Sequence, residues 1–336
     1  MNLNVYRRSS PLETDIILLG SFDKYISLVW SEGYNTLGSF SVEVPLNEYT
    51  RSILTPERYV TRNDRDTVMI ITSVSIKSNT ITATGHTATW MLEQVAVPGE
   101  IVSEDEKEKG VNIEDTLEKA FREHFPQKNS FPLIFTGLSN LQDKYYLALK
   151  NKTFYQACET MCESADIGFR TVKMFRDTEK HIKLELYKPE TKEPHILSTD
   201  YGNIFGVQVT KSTECYKNTA YIIGPDGSIE KYSERGLIDD SDTEYAFILD
   251  AKNIDSRSER IAKASESIRA SQNINSVKFI PHSFDFGEKY DVGDKVIIRL
   301  GEYGLTFDAR VTEYHYTEKN GKETITITVG TPILRR

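Results

Sequence analysis

A run of β-type sequence occurs twice in this chain, and a duplicated β-module restricts the possible folds more than any other feature of the sequence. The first copy reads Ser41-Val42-Glu43-Val44-Pro45, then Tyr59-Val60-Thr61, a polar turn at Asn63-Asp64-Arg65-Asp66, Val68 to Ile76, Lys77-Ser78-Asn79, and Thr80-Ile81-Thr82-Ala83-Thr84-Gly85. The second reads Ser276-Val277-Lys278-Phe279-Ile280-Pro281, Lys295 to Leu300, a turn at Gly301 to Gly304, Leu305 to Tyr316, Glu318-Lys319-Asn320-Gly321, and Thr324-Ile325-Thr326-Ile327-Thr328-Val329-Gly330. Matching elements in matching order suggest two related antiparallel β-modules, and two such modules in one chain suggest a scaffold before an enzyme. The shared residues are mostly Ile, Val and Thr, which any two β-meanders have in common.

Around these modules the chain has room for more. Its 336 residues suit about two to three domains of the usual size. From Leu3 to about Val97 the hydrophobic period is two, broken at Gly20, Gly33, Gly38, Pro45 and Gly85. Ile16 to Leu19, Tyr25 to Trp30, Ser39 to Val44 and Val68 to Ile76 read as short strands of a small barrel or sandwich. A first β-barrel domain is therefore expected over 1–98. After Pro98-Gly99 the run Glu104 to Gly110 is almost wholly charged and reads as a surface linker or loop.

An α+β domain is expected over 99–195. Asn112 caps a helix with an apolar stripe of Ile113, Leu117, Ala120, Phe121 and Phe125, stopped by Pro126. Thr153 and Gln156 form a capping box for a second helix that carries Phe154, Cys158, Met161 and Ala165 inward and ends at Gly168. Phe169 to Phe175 and His181 to Tyr187 follow as a strand pair.

Strands resume beyond Pro194, at Val207 to Thr210, Asn218 to Ile223, Ile229 to Tyr232 and Tyr245 to Leu249, with a hairpin turn at Gly224-Pro225-Asp226-Gly227-Ser228. A second β-barrel domain is expected over 196–250 and 275–336, interrupted by an inserted helix over 251–274. That helix opens on a Ser256/Glu259 capping box, runs to about Gln272 and turns Ile261, Ala264, Ser265 and Ile268 inward. The fold class is thus mainly β with α+β.

The residues offer little chemistry. Net charge is −9 with no long basic run, which argues against holding nucleic acid by neutralising phosphates. The start lacks a cationic and apolar leader, and no run approaches the roughly 18 apolar residues of a membrane span, so no membrane insertion is expected. The three cysteines make no disulfide framework; Cys158 and Cys162 share a helix face, but no neighbouring cluster completes a metal site. His86, His124, His181, His195, His282 and His315 are scattered singly. The acidic run Asp239-Asp240-Ser241-Asp242-Thr243-Glu244 lacks the Gly and distal Glu register of a calcium loop and reads as solvated. Asn151-Lys152-Thr153 matches a glycosylation acceptor, but its Thr is better explained as a helix cap. No catalytic, cofactor-binding or metal residue is therefore assigned and no cofactor is expected. A glycosidase carboxylate pair among the 50 acidic residues stays open, as does sugar or base stacking on Tyr145, Tyr146, Tyr314 and Tyr316, where cross-strand packing is the simpler reading.

Two stretches resemble a known family. Trp30-Ser31-Glu32-Gly33-Tyr34-Asn35-Thr36-Leu37-Gly38-Ser39-Phe40-Ser41-Val42-Glu43-Val44-Pro45 resembles the opening of tail-hub proteins of long-tailed bacteriophages. Tyr290-Asp291-Val292-Gly293-Asp294-Lys295-Val296 and the Thr-rich closing strand look like that family's last barrel. The resemblance covers essentially the whole chain and implies a baseplate hub in a phage or prophage tail, made in the bacterial cytoplasm. It implies a homotrimer whose paired barrels form a ring of six, joining the sixfold tail tube to threefold tip proteins. Implied partners are a distal tail ring protein, the tape-measure protein and a tip fibre or spike, with DNA passing through without specific binding. Relatives often place a hydrolase in a C-terminal extension, and with Arg336 just after the last strand none is expected, so the chain should not be an enzyme. The rival readings are a cell-wall-degrading tail enzyme and a receptor- or carbohydrate-binding module.

Overall fold

The computed structural model describes residues 1–125, 131–137, 141–146, 148–176, 179–189, 195–212, 214, 216–233, 243–252, 254, 256–271, 274–282 and 285–330. Pro126, Pro194, Gln272 and the acidic residues 239–242 lie outside them. Strands dominate, and the chain divides into two compact units, both discontinuous in sequence. The first takes Met1–His195, Ile280–Val296 and Val311–Ile327; the second takes Ile196–Phe279, Ile297–Arg310 and Thr328–Arg336.

The first unit is built on an antiparallel sheet. From its end strand the order is Ile16–Phe22, Leu3–Arg8, Tyr59–Arg62, Val68–Lys77, Thr80–Thr87, Ser39–Pro45 and Ser27–Gly33. Residues Glu313 to Lys319 of the strand Leu305–Lys319 then pair with Ser27–Gly33, Glu313 opposite Gly33 and Lys319 opposite Ser27. Alternation does what the period of two promises: Phe40, Val42 and Val44 are buried on one strand, Ile81 and Ala83 on its neighbour. Burial of a Phe, Val or Ile side chain such as these contributes roughly 1.5–3 kcal/mol of transfer free energy.

Gly85, read from sequence as a break, lies inside the strand Thr80–Thr87. The ladder slips between Ile71 and Ser73 opposite it, and a Cβ at Gly85 would sit 1.8 Å from the Ile70 carbonyl oxygen. Glycine is there because a bulge brings two backbones together, not because the strand ends.

Both expected helices and the expected strand pair form. The helix Ile113–His124 is capped by Asn112, whose side chain accepts from the Asp115 amide, and the helix Phe154–Ser164 carries the Thr153/Gln156 capping box. Ala165, not Gly168, follows its last turn, and Gly168 opens the next strand. Gly168–Arg176 pairs antiparallel with Glu179–Tyr187, to which Leu133–Thr136 adds in parallel. Ile113, Leu117, Phe121, Phe154, Cys158 and Met161 join Tyr6, Ile16, Tyr59, Val68 and Ile70 of the large sheet in one hydrophobic core. The strand Ala96–Val102 runs straight through Pro98-Gly99 and pairs with Leu149–Thr153.

The charged run after it is a helix rather than a linker or loop. Glu104–Lys109 is nucleated by a Ser103/Glu106 capping box and buries no residue. Local capping and first-turn acidic residues suffice to wind it without a core to pack on.

In the second unit Ile196–Leu197 runs parallel to Lys295–Leu300, meeting Ile297 and Ile298. Thr219–Ile223 forms the expected hairpin with Ile229–Ser233, closed by a hydrogen bond from the Gly224 amide to the Ser228 carbonyl. Ala246–Asp250 adds in parallel to Thr219–Ile223, and the three strands make a sheet of their own. The helix Arg257–Ala270 covers one face of it, with Ala264 and Ile268 on Ala220, Ile222 and Ala251. The Ser256/Glu259 capping box does not form: Ser256 makes no side-chain cap bond, and its hydroxyl lies 2.8 Å from that of Ser258.

The two copies of the repeated sequence pair their strands in one pattern. In Ser39–Pro45, Tyr59–Arg62, Val68–Lys77 and Thr80–Thr87 the first strand pairs with the fourth, the fourth with the third and the third with the second. Ile274–Pro281, Lys295–Leu300, Leu305–Lys319 and Lys322–Gly330 follow the same rule.

Candidate functional site: a buried arginine cluster

The polar turn after the strand Tyr59–Arg62 folds Arg65 inward and leaves Asp64 and Asp66 exposed. Arg65 extends its guanidinium between two carboxylates and grips each with two hydrogen bonds. Nε and Nη2 donate to Glu32 at 3.0 and 2.7 Å, and Nη1 and Nη2 donate to Asp291 at 3.1 and 2.8 Å. Glu32 has further donors in Trp30 Nε1 at 2.9 Å and Thr67 Oγ1 at 2.7 Å. Planar bidentate pairing of this kind is what a guanidinium offers and an ammonium does not.

Aromatic faces complete the surroundings. The Arg65 guanidinium carbon lies 5.2 Å from the Phe286 ring centroid and 5.0 Å from that of Tyr314. Arg62, 1% exposed, stands 4.3 Å from Tyr316 and 5.4 Å from Trp30, with Nε and Nη2 on Asp64 at 3.0 and 2.6 Å. Its buried Nη1 has no hydrogen-bond partner among the described residues, so the ring faces are what compensate that edge. The Lys173 ammonium donates to the carbonyls of Arg62 and Arg65 at 2.9 and 2.6 Å and fixes the turn from the strand Gly168–Arg176.

Burial by itself would raise the Glu32 carboxyl, but the Arg65 charge and the bonds from Arg65, Thr67 and Trp30 outweigh it and hold it down at about 2. A carboxylate so held is no proton donor near neutrality. The cluster therefore fastens rather than reacts. It ties together residues 32, 62–67, 173, 286–291 and 314–316, which are remote in sequence and all belong to the first unit. Gly293, at φ +97°, makes the turn beside Asp291 that an L side chain would strain.

The residues singled out from sequence sit elsewhere or serve packing. Cys158 and Cys162 are free thiols in the core, and burial pushes both well up from the usual thiol range. His86 stacks on Trp90, His195 on Tyr290, and His181 lies 3.2 Å from Asp15. Among the described residues no three His, Cys, Asp or Glu side chains come together to hold a metal. Tyr145, Tyr314 and Tyr316 are buried and Tyr146 is exposed, so packing is the reading for three of the four. Glu244, from the acidic run, pairs with Lys231 and with the Tyr221 hydroxyl. Asn151 accepts from the Gly99 amide at 3.0 Å, and Thr153 is the helix cap. The sequence reading passed over Arg62 and Arg65 because alternating charges beside Asn63 look like a solvated turn.

The family model for siphovirus ReqiPepy6 Gp37-like proteins matches residues 11–331. The chain belongs to this Gp37-like family. Its fold is that of phage tail proteins. The prophage MuSo2 43 kDa tail protein of Shewanella oneidensis superposes with a TM-score of 0.65 at 10% identity, covering 98% of both chains. A tail protein of Neisseria meningitidis gives 0.62 at 13% identity over 98% of this Gp37-like chain and 96% of its own. The Listeria monocytogenes prophage tail protein gp18 gives 0.56 at 13% identity, over 100% and 96%. No curated protein matches the chain. No described helix is long and apolar enough to cross a membrane.

Proposed function

We propose that this Gp37-like protein is a structural component of a phage or prophage tail tip. Three copies form a hub ring that joins the sixfold tail tube to threefold tip proteins. The observation that carries the reading is the shared strand-pairing rule of the two β-meanders: two alike barrel modules per chain let three chains present six alike positions. The full-length likeness of fold to prophage tail proteins supports it. So does the end strand Ile16–Phe22, which leaves Ile17 39% and Leu18 48% exposed, an edge suited to pairing with another chain. The partners are tail proteins: a distal ring, a tape measure and a tip fibre or spike. The chain acts without catalysis, without a cofactor and without specific nucleic-acid binding, and it resides in the virion tail.

Light scattering on the purified chain, with negatively stained particles, tests this. The expected result is a mass of three 38.3 kDa chains and rings with sixfold pseudo-symmetry. A monomer at high concentration with no ring in the particles overturns the reading.

A further inference from the structure

A cleft of about 890 Å³ opens in the first unit, away from the arginine cluster, with Arg7, Arg8, Arg58 and His124 in its lining against a single carboxylate, Glu57. That volume is in the range of ligand-binding sites. In a chain of net charge −9, three guanidinium groups around one hollow need a reason. Among the described residues Arg7 donates only to the carbonyls of Arg8 and Ser9, at 3.1 and 3.4 Å. Among the described residues no carboxylate pairs with Arg7 or with Arg58. The Arg58 Nε is buried without a hydrogen-bond partner among the described residues, a state that costs free energy until something accepts from it.

The backbone is bent to make this arrangement. The strand Leu3–Arg8 slips register between Val5 and Tyr6, immediately before the two arginines, and bulges of this kind re-aim the side chains that follow. Glu57 holds a left-handed φ of 64° in the cleft lining, a conformation that strains a residue with a β-carbon. Strain that the fold maintains beside a hollow points to use of the hollow. Apart from Gln94 and Tyr59 the rest of the lining is apolar, with Ile70, Val95, Phe131 and Pro132. A bare inorganic anion uses the charges and leaves that wall empty.

We infer that the cleft takes an acidic peptide segment of a neighbouring tail protein. Its carboxylates meet Arg7, Arg8 and Arg58, and an adjoining apolar side chain packs on Phe131 and Pro132. The identity of the neighbour as a tail protein rests on the proposed function; the acidic and apolar chemistry rests on the cleft alone.

An array of hexapeptides pairing Glu or Asp with Phe or Leu, each beside its Gln or Asn counterpart, is probed with the full-length chain, and hits are measured by fluorescence polarisation. Acidic peptides bind, and their amide counterparts bind at least tenfold more weakly. Arg58→Gln and Arg7→Gln each weaken binding about tenfold, the order of one charge-assisted hydrogen bond. Arg58→Lys restores part of it, and unchanged melting temperatures show that the variants fold. Equal binding of acid and amide peptides, absence of any hit, or wild-type affinity in Arg58→Gln overturns the inference. Displacement of the peptide by inorganic phosphate or oligo-dT at lower concentration than the peptide itself also overturns it, in favour of a phosphate ligand. A trimer that captures no acidic peptide removes this inference and leaves the hub; a monomer that captures one does the reverse.

Discussion

Arg65 is the residue on which the arginine cluster turns, because among the described residues it is the cation paired with Glu32, which is 5% exposed. Arg65→Met leaves that carboxylate buried and uncompensated, and the expected loss is about 3–5 kcal/mol in a urea unfolding curve. Pairing it with Glu32→Leu should recover most of that loss, since a well-packed apolar pair replaces a buried ion pair at little cost. The cluster also sets a pH dependence. The Glu32 carboxyl is held at about 2 against an ordinary value of 4.5, so its contribution to stability is fully present above about pH 4.5. It is lost as pH falls from there toward 2. The difference in melting temperature between wild type and Glu32→Gln should be constant at higher pH and shrink across that window; a difference that does not shrink sinks the assignment. None of this was legible in the sequence. Glu32, Arg65 and Asp291 are far apart along the chain, and a charge with buried partners is written with the same letter as a solvated one.

Elements were more legible than their contacts, and helix starts best of all, because a cap acts over three residues that the sequence displays side by side. Thr153 and Gln156 satisfy each other's backbone amides as their spacing promises, while Ser256 with the same spacing to Glu259 makes no such bond. The difference is a neighbour: Ser258 holds the Ser256 hydroxyl, a competition that a motif three residues apart does not register. Thr153→Ala should therefore cost about 1 kcal/mol, and Ser256→Ala should leave stability within about 0.5 kcal/mol of wild type, both read by chemical unfolding. Gly85 marks the opposite failure, since a glycine required by a bulge reads in sequence as the end of a strand.

For the whole molecule, the repeat was visible as a similarity of β-branched runs, but its meaning rests on pairing order, which is a long-range property. Deleting residues 311–327 tests how strongly the first unit depends on the second copy. The strand Ser27–Gly33 then loses its partner, and Arg65 keeps Asp291 but loses the Tyr314 face. The shortened chain should unfold at lower urea and appear as aggregates by light scattering.

That division of the chain has a temporal side. The residues that finish the first unit, 280–296 and 311–327, leave the ribosome long after Leu3–Arg8, the first strand in sequence of the sheet they complete. Folding domain by domain during synthesis, the usual course for a long chain, is thus closed to this unit. Its strand Ser27–Gly33 stays open on one side until residues 313–319 have been made. A chain cut short by a stalled ribosome or a nonsense codon lacks the last strand and the ring faces of the arginine cluster together, which makes completeness of the polypeptide a condition for a finished subunit.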